Sequence, residues 1–251
     1  MTSIWALADL HLPFGNPDKS MEIFGPAWKN YTEKIETHWK ERVQPEDLVL
    51  LPGDLSWAHE LDQALKDLEW IDRLPGTKLI LRGNHDYWWT SSTKLAKALP
   101  PSMHFIQNNA FQWMNVSIGG ARLWDCEHFS CDSIVDFQVN PATGAISPPD
   151  TDIDAMRKVY ERELHRLELS LSALHEDAHL KIAMTHYPPI GPNLEPSPAS
   201  EILEKHHIDI CVFGHLHNLK KGIEAFGTLN GIRYICVAGD HIDFVPVKLA
   251  P

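Results

Sequence analysis

The chain has 251 residues, 43% hydrophobic and 22% charged, a balance that excludes a disordered or fibrous protein. Its net charge of −12, with no basic run longer than a dipeptide, disfavours a nucleic-acid partner, whose binding rests on phosphate contacts. No apolar run approaches the ~18 residues of a membrane span, no basic-then-apolar leader is visible, and four cysteines are too few for a disulfide framework, so a cytoplasmic protein without membrane insertion is expected.

In chain order, Ile4–Ala8 is a short apolar run of strand character, ended by Asp9-Leu10-His11. Trp28, Tyr31, Ile35, Trp39 and Val43 then keep one face at helical spacing. A second apolar run, Leu48–Leu51, ends in Pro52-Gly53-Asp54, and Leu61, Leu65, Leu68 and Ile71 mark a second helix. The third run, Leu79–Leu81, ends in Arg82-Gly83-Asn84-His85-Asp86. Trp124-Asp125-Cys126-Glu127-His128 closes another strand-like run, and residues 125–150, with four prolines and glycines and no sustained period, are expected to be irregular.

The longest amphipathic stripe covers 152–177 through Ile153, Met156, Tyr160, Leu164, Leu167, Leu171 and Leu174, with Asp150 or Thr151 as its N-cap. Ile182–Met184 leads into Thr185-His186, after which five prolines between Tyr187 and Ser200 predict an irregular segment. Ile210–Phe213 ends in Gly214-His215-Leu216-His217, and β-like pieces follow at Ile232–Val237 and Phe244–Leu249. Alternating strands and helices predict a layered α/β fold, read as a single domain over 1–251 with sheets packed face to face and helices outside.

Each polar motif follows directly on a strand, and carboxylate, imidazole and amide oxygen are ligands for divalent transition metals. Residues two apart on a strand share a side, so Asp9 with His11, and His215 with His217, can grip one ion each. Asp54 offers two oxygens and can bridge; Asn84 and His186 bring the ligand side chains to seven, more than one tetrahedral ion uses. Two ions are expected, with Mn, Fe or Zn as the leading identities and Co or Ni also suited to the donors. Their charge would let a small phosphoester enter a pocket of an otherwise acidic protein. Cys126 and Cys131 could bind metal or pair, whereas Cys211 and Cys236 fit buried free thiols.

Five such motifs in this order resemble the calcineurin-like metallophosphoesterase superfamily, from Asp9 to His217. The resemblance implies a four-layer αββα sandwich of two mixed β-sheets flanked by helices. It implies one metal on Asp9, His11, Asp54 and His217, and another on Asp54, Asn84, His186 and His215. It further implies hydrolysis of a phosphodiester or phosphomonoester by a hydroxide shared between the metals, His85 as the catalytic group facing substrate, and Asp86 setting the His85 orientation. Many members carry an acidic residue soon after the Gly-Asp motif; here Leu55-Ser56-Trp57-Ala58-His59 follows Asp54. A nuclease and a non-catalytic metal-binding scaffold are the alternative readings, and retention of His85 with all seven ligands argues against the scaffold.

Trp57, Tyr87, Trp88, Trp89 and Tyr187 each follow a motif closely. They either wall the leaving-group side of the substrate pocket or pack the loops onto the sandwich, and Trp57, Tyr87 and Tyr187 are the substrate-contact candidates among them. Arg82 either reaches a substrate phosphate or makes a structural ion pair. Nine tryptophans permit an oligomer interface without demanding one.

Overall fold

The computed structural model describes residues 2–137, 152–223 and 225–250. The first half builds β1 (Ile4–Ala6), α1 (Tyr31–Arg42), β2 (Leu48–Pro52), α2 (Leu61–Asp72), β3 (Thr77–Leu81), α3 (Ser92–Ala98) and β4 (Met103–Phe105). The second half builds β5 (Phe111–Trp113), β6 (Val116–Ala121), α4 (Ile153–Ser172), β7 (Leu180–Thr185), α5 (Pro198–Lys205), β8 (Ile210–Phe213), β9 (Gly227–Leu229), β10 (Ile232–Cys236) and β11 (Val247–Ala250). One sheet has the order β11-β1-β2-β3-β4 and the other β5-β6-β7-β8-β10-β9. Both are mixed: β11 is antiparallel to β1, and β5 and β9 are antiparallel at the edges of the second sheet.

Strand periodicity creates the layers. Leu48 and Leu50 of β2, with Leu79 and Leu81 of β3, face Ile182, Met184 and Val212 of the other sheet. Their neighbours Val49, Leu51 and Ile80 face the opposite way, toward Ile35 and Trp39 of α1 and Leu68 and Ile71 of α2. Ala183, Cys211 and Phe213 likewise face Leu167 and Leu171 of α4 and Leu203 of α5. Three apolar cores separate four layers, the αββα sandwich. Truncating a fully buried side chain such as Leu68 to Ala would cost roughly 2–5 kcal/mol.

Several boundaries differ from the sequence reading. Trp28 belongs to a separate 3₁₀ turn, Pro26–Trp28, before α1. The long helix ends at Ser172, its first-turn Ile153 is exposed, and Asp152 is the N-cap, accepting from the Ala155 N–H at 3.1 Å. The expected caps Asp150 and Thr151, and the rest of the irregular stretch beyond Phe137, lie outside the described residues. Proline did not keep the whole of 187–200 irregular: Pro198 takes the first position of α5, where no N–H is needed, and Ser197 caps it. Phe244 turns at φ 56° instead of starting a strand, and Pro246 delays β11 to Val247.

Candidate metal centre

β1, β2 and β3 run parallel in one sheet, and β7 and β8 run parallel in the other. The loops leaving their C-terminal ends interlock across the two sheets. The N–H groups of Asp9 and His11 donate to the carbonyls of Gly53 (3.1 Å) and Asp54 (2.9 Å). That of Gly214 donates to the His186 carbonyl at 3.1 Å, and that of His215 to Asp9 Oδ2 at 3.0 Å. The strand-side argument for Asp9 and His11 fails, because β1 has already ended at Ala6. Asp9 (φ 58°), His11 (44°), Asp54 (54°) and His215 (69°) instead sit in the left-handed region, which is costly for non-glycine residues and here aims four ligand side chains inward. Gly214 is required by contact: a Cβ there would collide with the Asp9 carboxylate.

Two overlapping ligand groups result among the described residues. Asp9, His11 and His217 bring ligand atoms within 4.8 Å of one another, as do Asp9, Asp54 and His186. Asp54 Oδ2 lies 3.6 Å from His11 Nε2 and 3.5 Å from His186 Nε2, between the two groups. Asn84 Oδ1 completes the second side, 2.7 Å from His186 Nε2 and 3.1 Å from His215 Nδ1. All seven predicted ligands therefore meet at one place.

The donor chemistry fits cations. His186 Nδ1–H donates to the Pro52 carbonyl at 3.0 Å, which turns Nε2 toward the Asn84 and Asp54 oxygens. His11 Nε2 and His217 Nε2 face each other at 3.2 Å, while Asp54 Oδ2 is buried without a hydrogen-bond donor. Imidazole nitrogens and a carboxylate oxygen this close in a buried space need protons or a cation between them. The carboxylates around the site favour positive charge on two of its imidazoles. Burial opposes protonation of His186 and His217, yet Asp54 beside the first and Asp240 beside the second raise both to about 9. Burial raises Asp9 to about 7.

A calcineurin-like phosphoesterase family model matches residues 2–219. The chain belongs to that family. Among curated proteins it is similar to the Gene 66 proteins of Mycobacterium phages D29, 31% identical over 86 residues, and L5, 31% identical over 93. Each match covers 34% of this chain and 41% of the relative, so the chain spans less than half the length of these relatives. Among solved structures, the phosphopantetheinyl hydrolase of Mycobacterium tuberculosis has the same fold, with a TM-score of 0.55, 13% identity, and coverage of 100% of this chain and 96% of that one. A protein of unknown function from Aquifex aeolicus gives a TM-score of 0.49 at 17% identity, covering 99% and 96% of the two chains.

In this calcineurin-like chain His85 lies at the rim of the ligand cluster. Its N–H donates to Asp54 Oδ1 at 2.8 Å, and its ring packs 4.6 Å from Trp57 and 5.6 Å from His11. Burial lowers its pKa, and Nδ1 is buried without a partner. The expected orientation of His85 by Asp86 is not what the structure shows. Asp86 spends its carboxylate on the N–H groups of Gly83 (2.8 Å), Asp54 (2.9 Å) and Leu55 (2.9 Å) and on Trp88 Nε1 (3.0 Å). With its lone pairs engaged, Asp86 is a buried clamp between the Asp54 and Asn84 loops rather than a partner of the His85 ring.

The aromatic candidates divide. Trp88 and Trp89 are buried in the helix-side core. Trp57 stacks on His11 at 4.8 Å and lines a cavity with His85, Trp28, Phe24 and Met21. Tyr87 is half exposed and stacks on His59 at 5.4 Å. Tyr187 is buried, with its ring 3.9 Å from His215 and 4.9 Å from Trp124, so it braces the His215 ring. Arg82 lines a cavity that none of the seven ligands touches.

Two cavities meet at His217: one of about 360 Å³ on the Trp57 side, and one of about 560 Å³ lined by Trp124, Asp125, Tyr187 and His215. Val135 and Phe137 line both, which puts part of the predicted 125–150 loop at the centre. The four cysteines are free thiols, Cys126 and Cys131 included, and neither joins a ligand group among the described residues.

Sequence reasoning missed Asp240, whose Oδ1 accepts from His217 Nδ1 at 2.9 Å and whose Oδ2 accepts from the Asn218 N–H at 2.8 Å. It also missed Tyr31, whose hydroxyl donates to the His11 carbonyl at 2.7 Å. A carboxylate behind a metal-binding histidine fixes its tautomer, but Asp240 lies outside every motif and only the chemistry of Gly239-Asp240-His241 could have suggested it.

Proposed function

We propose that this chain is a metal-dependent hydrolase of a small phosphodiester or phosphomonoester, acting as one domain in the cytoplasm. The observation that carries the reading is the Asp54 carboxylate, held by the His85 N–H between two sets of imidazole and oxygen groups. Asp9, His11, Asp54 and His217 would hold one divalent cation, and Asp54, Asn84, His186 and His215 the other. Two such cations, when bound, would supply a hydrolytic nucleophile from water at neutral pH and neutralise charge on a phosphoryl group.

The chain's own residues complete the chemistry. His85 lines the Trp57 cavity, where its ring N–H would hold the negative charge of the leaving oxygen or, in the protonated ring, pass it a proton. Trp57 fixes the His85 ring by contact, and Met21, Phe24 and Trp28 offer an apolar wall to the leaving group. The fold shared with a phosphopantetheinyl hydrolase fits an organic phosphoester as substrate. Free thiols at all four cysteines support the cytoplasmic setting. The acidic chain favours this reading over a nuclease.

The test is hydrolysis of p-nitrophenyl phosphate and bis-p-nitrophenyl phosphate by Mn²⁺-loaded protein and its His85→Ala variant. Turnover of either ester that collapses in the variant supports the reading, and the preferred ester separates monoesterase from diesterase. A metal-loaded protein that cleaves neither contradicts it.

A further inference from the structure

A cavity of about 250 Å³, lined by none of the metal-ligand candidates, gathers three arginines: Arg82 after β3, Arg122 after β6 and Arg166 on α4. One carboxylate accompanies them. Glu163, only 1% exposed, takes Arg122 Nη2 at 3.1 Å and Arg166 Nη1 at 2.8 Å, both on Oε1. Arg82 has no ion-pair partner among the described residues, and its Nε is buried without a hydrogen-bond acceptor. The Nε of Arg122 is buried and unpartnered as well. In a chain of net charge −12, three guanidiniums against one carboxylate leave two positive charges in a half-buried space.

Uncompensated buried charge is costly, and like charges in a shielded pocket repel. An anion removes both penalties. The pocket also offers neutral hydrogen-bonding groups: Gln107, whose Oε1 already accepts from Trp89 Nε1 at 2.9 Å, keeps its amide NH₂ as a donor, and Thr90 and Ser91 supply hydroxyls. Planar guanidinium forks match tetrahedral oxyanions with paired N–H groups.

We infer that the Arg82–Arg122–Arg166 pocket is a binding site for a phosphate-class oxyanion, separate from the metal ligands. It is tied to the metal centre through the backbone. Arg82 lies two residues before Asn84, and the Arg122 carbonyl accepts the N–H groups of His186 (3.1 Å) and Tyr187 (2.9 Å). The occupant is either a second phosphoryl group carried by the substrate or free phosphate.

Isothermal titration of the Mn²⁺-loaded protein with inorganic phosphate tests the site. Two classes of phosphate binding are expected in the wild type. The one outside the metal centre should weaken roughly tenfold or more in Arg82→Met and in Arg166→Met. Arg166 is 41% exposed, so its variant reports on the pocket even where Arg82→Met fails to fold. No phosphate binding in the wild type, or binding that a folded variant leaves unaltered, overturns the inference.

The source of the anion is read from p-nitrophenyl esters of thymidine 5′-phosphate with and without a 3′-phosphate. A substrate-borne phosphoryl group predicts that Arg82→Met raises the KM of the bisphosphorylated ester relative to the other. Free phosphate predicts an unchanged ratio beside the loss seen by titration. This second comparison rests on the phosphoesterase reading. The titration does not, so the two fail independently.

Discussion

His217 Nδ1 and Asp240 Oδ1 lie 2.9 Å apart, and this pair decides which imidazole nitrogen faces Asp9 and His11. With its Nδ1 proton committed to Asp240, His217 presents Nε2 toward Asp9 and His11. Asp240→Asn keeps the shape of the side chain and removes its charge. Metal affinity, measured by competition with a chromophoric chelator, is expected to fall roughly 10–100-fold while the fold persists. Unchanged affinity would reduce Asp240 to a loop-closing residue.

Asp86 makes a different prediction from the one its place beside His85 suggests. Asp86→Ala strips a buried acceptor from the N–H groups of Gly83, Asp54 and Leu55 and from the Trp88 indole. Destabilisation beyond ~3 kcal/mol is expected in urea titrations. A variant of wild-type stability with altered turnover alone would return Asp86 to a catalytic role.

His85→Ala separates chemistry from assembly. His85 supplies no ligand atom to either metal-binding group, and it touches Asp54 through its main-chain N–H, which alanine retains. Metal content should be unchanged and kcat should drop roughly 10²–10⁴-fold. Loss of metal along with activity would make His85 a ligand instead.

Lys78 gives the fold a pH signature far from the metals. It is fully buried on β3, and its ammonium donates to the carbonyls of Asp72 (3.1 Å) and Leu74 and to Ser102 Oγ (3.1 Å). Burial lowers its pKa from 10.5 to about 8. Between those values the unfolded chain binds a proton that the native one has lost, so the stability linked to this group rises with pH and is lost again as pH falls through about 8. The stability of the wild type relative to Lys78→Met should rise by on the order of 3 kcal/mol as pH increases across that window. Parallel denaturation profiles would contradict it.

The convergence of the seven candidate ligands was legible because a metal site restricts residue type, and strand ends are visible as apolar runs that stop at polar residues. What brings Asp9 and His11 together was not legible: the left-handed backbone at each is a tertiary outcome, unrelated to strand alternation. Pro198 misled for a local reason, since the same ring that excludes a helix interior suits a helix start. α3, of seven residues, and the three-residue strands β4 and β5 are too short to carry a period. The partners of Asp86 and Arg82 depend on which loops pack together, and adjacency in sequence pointed each toward the metal centre.

In the proposed centre, Asp54 joins two metal sites. Metal content per chain after Mn²⁺ loading and removal of free ions, measured by plasma mass spectrometry, tests it directly in the wild type and in Asp54→Ala. The account predicts about two ions in the wild type and at most about one in the variant. One ion or none in the wild type, or two retained without Asp54, would contradict it.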